Sequence, residues 1–206
     1  MPTNLDHLSY SSIHSYQMCP RAWKYRYIDK LPTKTGTALA FGSAFHEAVE
    51  DYVRQRTIDT LVQPNDQAPE KSLLTCWQQH WSKQLEKNGS GNIDWRDETP
   101  ESMENLGVSI LSSQEVIDTL DGLTPLVTGD HIHIEDKITL NVPSVPIPVV
   151  GYIDIITADG VPGDFKTSSR RWSNSRADDE QQAAFYLAAL NQAGTPLQAA
   201  NPFRYY

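Results

Sequence analysis

Three residues in the stretch VGYIDIITADGVPGDFKTSSR, Val150 to Arg170, are of types that do chemistry. Asp154 falls within one apolar run, and Asp164 and Lys166 interrupt the next. The intervening ADG reads as a three-residue hairpin loop, with Gly160 at the position that requires a left-handed backbone. That register pairs Thr157 with Val161 and, counting on, Asp154 with Asp164. Directly opposed residues project to one face with Cβ atoms ~5 Å apart. Lys166, two residues further on, shares the face, whereas Ile153, Ile155 and Phe165 point into apolar packing. Pro162 falls in a non-hydrogen-bonded pair, where its missing amide costs least.

Two carboxylates this close repel unless one keeps its proton or a cation sits between them. Mg2+ or Mn2+ suits carboxylates, carbonyls and water. Such an ion polarises a phosphate and acidifies its water, and the adjacent lysine positions the attacking water or steadies a phosphoryl group. The chemistry indicated is phosphodiester hydrolysis. On a solvated sheet face the same three residues would form only a surface salt-bridge cluster of little energetic value, and the spacing by itself does not decide between the two.

The rest of the chain must position this hairpin. The 206 residues suffice for one domain with a real core. No apolar run approaches the ~20 residues of a membrane helix, and MPTNLDHLSY lacks the basic and apolar segments of a signal peptide. A cytoplasmic location and no membrane partner are therefore expected. The formal charge of −9 argues against an unspecific nucleic-acid coat, but it leaves room for an enzyme that grips a backbone locally. Cys19 and Cys76 are isolated and form no CxxC pair.

SSIHSYQMCPRAWKYRYI reads as a helix capped by Ser11 or Ser12 and running to Cys19, with Pro20 opening a second helix. Tyr16, Trp23, Tyr25 and Tyr27 alternate there with Arg21, Lys24 and Arg26. This is either core packing beside a solvated basic face or a surface that meets nucleic acid by stacking and phosphate contact. In the next helix Phe45, Val49 and Tyr52 form an apolar stripe, with His46 and Glu50 on an adjoining face. Asp59 to Glu70 reads as loop. A helix over 71–86 carries Leu74, Trp77, Trp81 and Leu85, and another, over about 103–120, carries Leu106, Ile110, Ile117 and Leu120. HIHIEDKITL alternates at strand period and directs His131 and His133 to one side; without an adjacent third ligand, a solvated strand face is expected. QQAAFYLAALNQAG is a helix closed by Gly194, and Asn201 to Tyr206 begins a further strand.

Taken in order, these segments resemble the RecB-like/Cas4-like branch of the PD-(D/E)XK nuclease superfamily. The resemblance rests on LSYSSIHSYQMCPRAWKYRY, on GSAFH (Gly42 to His46), on GYID (Gly151 to Asp154), on DFKT (Asp164 to Thr167) and on QAAFY (Gln182 to Tyr186). It implies an α/β restriction-endonuclease-like core, in which a mixed central sheet is flanked by helices and carries a helical insert at about 59–120, all within one domain spanning 1–206. It implies a metal-dependent deoxyribonuclease, exonuclease rather than endonuclease, using Mg2+ or Mn2+. Asp154, Asp164, Lys166 and Gln182 match the catalytic positions. His46, Asp154, Asp164 and the backbone carbonyl of Phe165 match the metal ligands. Tyr186, with Arg21, Lys24 and Arg170, would hold DNA. Glu135 corresponds loosely to an upstream acid.

Many relatives bind an iron–sulfur cluster through the cysteine of Cys-Pro and three late cysteines. Cys19 would be the first of these ligands, but no late cysteines follow, so no cluster is expected in this chain and Cys19 is expected as a small buried hydrophobe. Pro162 and Gly163 also depart from the apolar run that usually precedes the Asp-x-Lys. The stop at Tyr206 leaves room for a missing C-terminal piece. A helicase or recombination protein is an expected partner. Two rival readings are a non-cutting DNA-binding or accessory subunit and a phosphohydrolase acting on a small substrate.

Overall fold

The computed structural model describes residues 5–62, 71–168, 181–195 and 203–206. Its helices are α1 (Tyr10–Met18), α2 (Pro20–Trp23), α3 (Thr37–Val62), α4 (Leu73–Asn88), α5 (Pro100–Leu111), α6 (Gln114–Gly122) and α7 (Gln181–Gln192). Its strands are β1 (Thr35–Gly36), β2 (Ile93–Asp94), β3 (Val127–Thr128), β4 (His131–Ile132), β5 (Ile134–Leu140), β6 (Val149–Ile156), β7 (Pro162–Asp164) and β8 (Arg204–Tyr205). The fold is mixed α/β, a restriction-endonuclease-like sheet flanked by helices with a helical unit inserted in the chain. Two compact units divide it: Met1–Pro32 with Glu135–Tyr205, and Thr33–Ile134 with Tyr206.

The first unit is built on a four-stranded sheet of order β5-β6-β7-β8. β6 and β7 are antiparallel, and β8, which lies in the 201–206 stretch where a further strand is expected, joins β7 in parallel. Leu8 extends the hydrogen bonding: its amide donates to Pro148 O and its carbonyl accepts from Val150 N. The Ser9 side chain caps α1 by accepting from the Ser12 amide, so neither Ser11 nor Ser12 is the cap. Ser12 is buried instead, where its hydroxyl accepts from Trp23 Nε1 at 2.9 Å and ties α1 to α2. Pro20 opens α2 as expected, since its missing amide would have had no helical partner. The chain then widens into a π turn over Lys24–Ile28.

The second unit packs α3 on α4. Along α3, Phe41, Phe45, Val49, Tyr52 and Val53 are buried at helical spacing, together with the small Ala40, Ala44 and Ala48. They meet Trp77 and Trp81 of α4, whose rings stack at 5.5 Å and are fully enclosed. Burying aromatics of this size accounts for much of a helical core's stability, since truncating one costs about 3–5 kcal/mol. α3 runs through Asp59 to Val62, which had been expected as loop. No Gly or Pro stands between Gly42 and Pro64, and the Thr57 and Thr60 hydroxyls bond back to the carbonyls of Val53 and Arg56 within the helix. The expected 103–120 helix is two helices, broken at Ser112 and Ser113, where the Ser113 hydroxyl donates to Ile110 O. The buried stripe of α5 is Met103, Gly107 and Leu111, while Leu106 is exposed.

Candidate active site

The hairpin adopts the register anticipated above. Ile155 pairs with Gly163 and Ile156 with Pro162, a count that sets Asp154 opposite Asp164. The turn closes through Thr157 N to Val161 O at 2.9 Å and Gly160 N to Thr157 O at 2.7 Å, with Gly160 at φ +77°. Ile153, Ile155 and Phe165 are buried, as their alternation requires. Both carboxylates are buried too: Asp154 is 6% exposed and Asp164 2%. A solvated surface cluster is thereby excluded for them.

β7 ends at Asp164, earlier than an extended strand through Lys166 would. The next rung would pair Phe165 with Ile153, but the Phe165 amide donates to Asp154 Oδ2 at 2.7 Å. This bond holds the Asp154 carboxylate against the start of the following segment. Burial of the Phe165 ring anchors the chain there, and Lys166 turns back over the acids. Its Nζ lies 2.6 Å from Asp164 Oδ2 and donates to Gln182 Oε1 at 2.8 Å.

Gln182 and Tyr186 sit one turn apart on α7. The Gln182 amide nitrogen donates to the Tyr186 hydroxyl oxygen at 2.5 Å and approaches Asp164 Oδ1 at 3.4 Å. With its oxygen on Lys166 and its nitrogen on Tyr186, the amide has one sensible orientation. Burial pushes the Tyr186 hydroxyl well above the usual phenol range, and the charges of Asp164, Asp154 and Glu135 push it the same way. It therefore keeps its proton across the physiological range. Tyr186 is 4% exposed, so it acts on this network mainly through Gln182.

What lets α7 come so close is Gly151. A Cβ there would stand 2.8 Å from Phe185 Cε1 and 3.1 Å from Tyr186 Cε1. The sequence marks this glycine only as part of GYID; its steric role emerges from the packing of a helix some thirty residues further along the chain. The far end of α7 is fixed by Gln192, whose side-chain amide bonds both the amide and the carbonyl of Asn141. Glu135 stands in β5 at φ +59°, an uncommon backbone for a residue with a Cβ, and its carboxylate is near enough to act on Tyr186.

Asp154, Asp164, Lys166, Gln182 and Tyr186 are thus brought together, and the Phe165 main chain is part of the same corner. Arg21 and Lys24 bond within their own segment: Arg21 Nε donates to Tyr25 Oη at 2.8 Å and Lys24 grips Asp29 at 2.6 Å. Arg170 lies outside the described residues. Cys19 is exposed, not the small buried hydrophobe expected, because it caps α2, its Sγ accepting from Ala22 N at 3.5 Å. His46 is half-buried on α3 of the helical unit, with Glu50 one turn further on. His131 and His133 do share a side, their rings meeting at 4.7 Å, and His133 Nε2 bonds the Thr128 hydroxyl.

Opposed buried acids on a hairpin, a lysine two residues beyond the second, and a mixed sheet flanked by helices support a nuclease-type site of the metal-dependent kind. The family comparison agrees: the model of the PD-(D/E)XK nuclease superfamily matches residues 7–205, and the chain belongs to that superfamily. No curated protein and no solved structure matches it.

Proposed function

We propose that this protein is a divalent-metal-dependent deoxyribonuclease of the RecB-like/Cas4-like branch, acting as an exonuclease in the cytoplasm, with a helicase or recombination protein as partner. The observation that carries the reading is the ammonium of Lys166, held at 2.6 Å from Asp164 and 2.8 Å from Gln182. A buried salt bridge alone would not need a glutamine to aim the lysine.

The donor set fits a hard cation. Two carboxylates, opposed across a hairpin and withdrawn from water, are oxygen ligands of the kind Mg2+ and Mn2+ take. Asp154, Asp164, His46 and the Phe165 carbonyl would hold the ion. When bound, it would supply Lewis acidity at a phosphate and a more acidic water. The chain's own residues do the rest. Phe165 N fixes Asp154, and Gln182 holds Lys166 so that its ammonium faces the acids. Lys166 then orients the attacking water or offsets charge gathering on the phosphoryl oxygens. Tyr186, kept protonated, fixes Gln182. Arg21, Lys24 and Arg170 would contribute phosphate contacts away from this corner.

The test is digestion of end-blocked and open, single- and double-stranded DNA with Mn2+, by wild type and Lys166→Ala. The expected result is cutting from open ends by wild type, lost by at least about 100-fold in the variant, with DNA binding retained. A wild type that binds DNA but cuts none of the panel would leave the accessory-subunit reading. Hydrolysis confined to free nucleotides would leave the small-substrate phosphohydrolase.

A further inference from the structure

The N-terminal segment carries an aromatic row that the hydrolytic site does not use. Tyr16 of α1 packs edge-on against Trp23 of α2 with ring centres 5.3 Å apart, and Trp23 meets Tyr27 at 5.9 Å and 32°. The Arg26 guanidinium lies 5.5 Å over the Tyr27 ring, and that of Arg21 lies 5.5 Å over Tyr25. Core packing accounts for Trp23, which is partly buried and anchored to Ser12. It does not account for Tyr16 and Tyr25, which are 51% and 38% exposed, or for Met18 at the end of α1 at 74%. The segment from Tyr10 to Lys34 has five Lys or Arg and one Asp in a chain of net charge −9. That single Asp is matched by Lys24, so Arg21, Arg26, Lys30 and Lys34 set the local sign.

We propose that this surface docks single-stranded DNA, with the exposed rings of Tyr16 and Tyr25 stacking on bases and the flanking arginines meeting phosphates. The inference rests on the reading of the protein as one that acts on DNA, and it specifies the form of the substrate. Exposed rings interleaved with cations match an unpaired strand, which offers base faces and phosphates together. A duplex hides its base faces and would engage only the cations. In an acidic protein such a phosphate-only grip is weak and strongly salt-dependent. Stacking adds a term that salt does not screen.

The experiment measures binding of a fluorescent oligothymidine strand, the matching oligouridine strand and a blunt duplex of the same length, in EDTA so that nothing is cut. Tyr16→Ala and Tyr25→Ala are each expected to weaken thymidine-strand binding by roughly 5- to 150-fold, the worth of one base–aromatic stack, and to leave duplex binding unchanged. Tyr16→Phe and Tyr25→Phe keep the ring and should bind like wild type, which separates stacking from misfolding. Equal losses on strand and duplex would overturn the inference. So would unchanged binding, a phenylalanine variant as weak as the alanine one, a preference for the uridine strand, or a self-association lost in Tyr16→Ala with DNA binding intact. A wild type that prefers the strand yet cuts nothing with Mn2+ supports this inference while overturning the nuclease reading alone.

Discussion

Asp154 takes the place of a main-chain carbonyl at the end of the hairpin, and the arrangement of the site follows from that substitution. Because its carboxylate accepts the Phe165 amide, the ladder stops and Lys166 is free to fold back on Asp164. At the opposite end of the hairpin, Asp159 in the turn accepts from the Thr157 hydroxyl and pairs with Arg204 of β8 at 2.6 Å. The Arg204 side chain and the Thr157 hydroxyl hold the Asp159 carboxyl well below the ordinary 3.8, at about 2. A depressed carboxyl stabilises the fold when ionised. Its contribution is therefore complete above the unfolded value and declines as pH falls through about 2. Denaturant melts of wild type and Asp159→Asn should differ at neutral pH, and the gap should close between pH 3.8 and about 2. A gap that stays constant over that range would show that the ion pair does not anchor β8. The hairpin residues were legible because a glycine at the turn fixes register and register fixes facing. The Cys19 cap was not, because buried and exposed cysteines look alike in a sequence.

Among elements, α5 shows how tightly helix packing is specified. Gly107 lies against Trp77, and a Cβ there would stand 2.2 Å from the indole ring. Trp77 is in turn held by its Nε1 donating to Glu104 O at 3.1 Å, so the ring cannot swing away freely. Gly107→Ala should therefore cost about 1–3 kcal/mol through overpacking. Gly122, at the end of α6, has open space where its Cβ would be; Gly122→Ala should be neutral or stabilise by up to about 1 kcal/mol. Urea unfolding of the two variants side by side checks this, and equal destabilisation would refute the packing account. Hydrophobic periodicity located these helices. It does not mark the buried stripe of α5, because a glycine facing a tryptophan carries no apolar signal while the apolar Leu106 is exposed.

At the scale of the molecule, the sheet-bearing unit holds the opposed acids, the lysine and the α7 amide, and membership of the PD-(D/E)XK superfamily covers nearly all of the chain. The compact helical unit runs from Thr33 to Ile134 and takes in α3 as well as the 59–120 stretch, because the aromatic core joins α3 to α4. If the carboxylates hold Mn2+, the ion must stabilise the folded state. At about 100 times its Kd the gain is ~2.7 kcal/mol. A thermal melt titrated with Mn2+ should rise for wild type and stay flat for Asp164→Asn. A rise of equal size in the variant would remove Asp164 from the ligand set, whatever the activity.

The sequence by itself determined the chemistry of the hairpin, namely which acids oppose each other and that a lysine follows. Turn type and the two-residue period of a strand are local, and local rules can be read one residue at a time. Only the tertiary structure decided that both acids are withdrawn from water, that Gln182 aims Lys166, and that Gly151 admits α7 against β6. Those outcomes depend on contacts between segments far apart in the chain. Such contacts follow from volumes filled and hydrogen bonds satisfied in the folded state, and no periodic pattern within either segment records them.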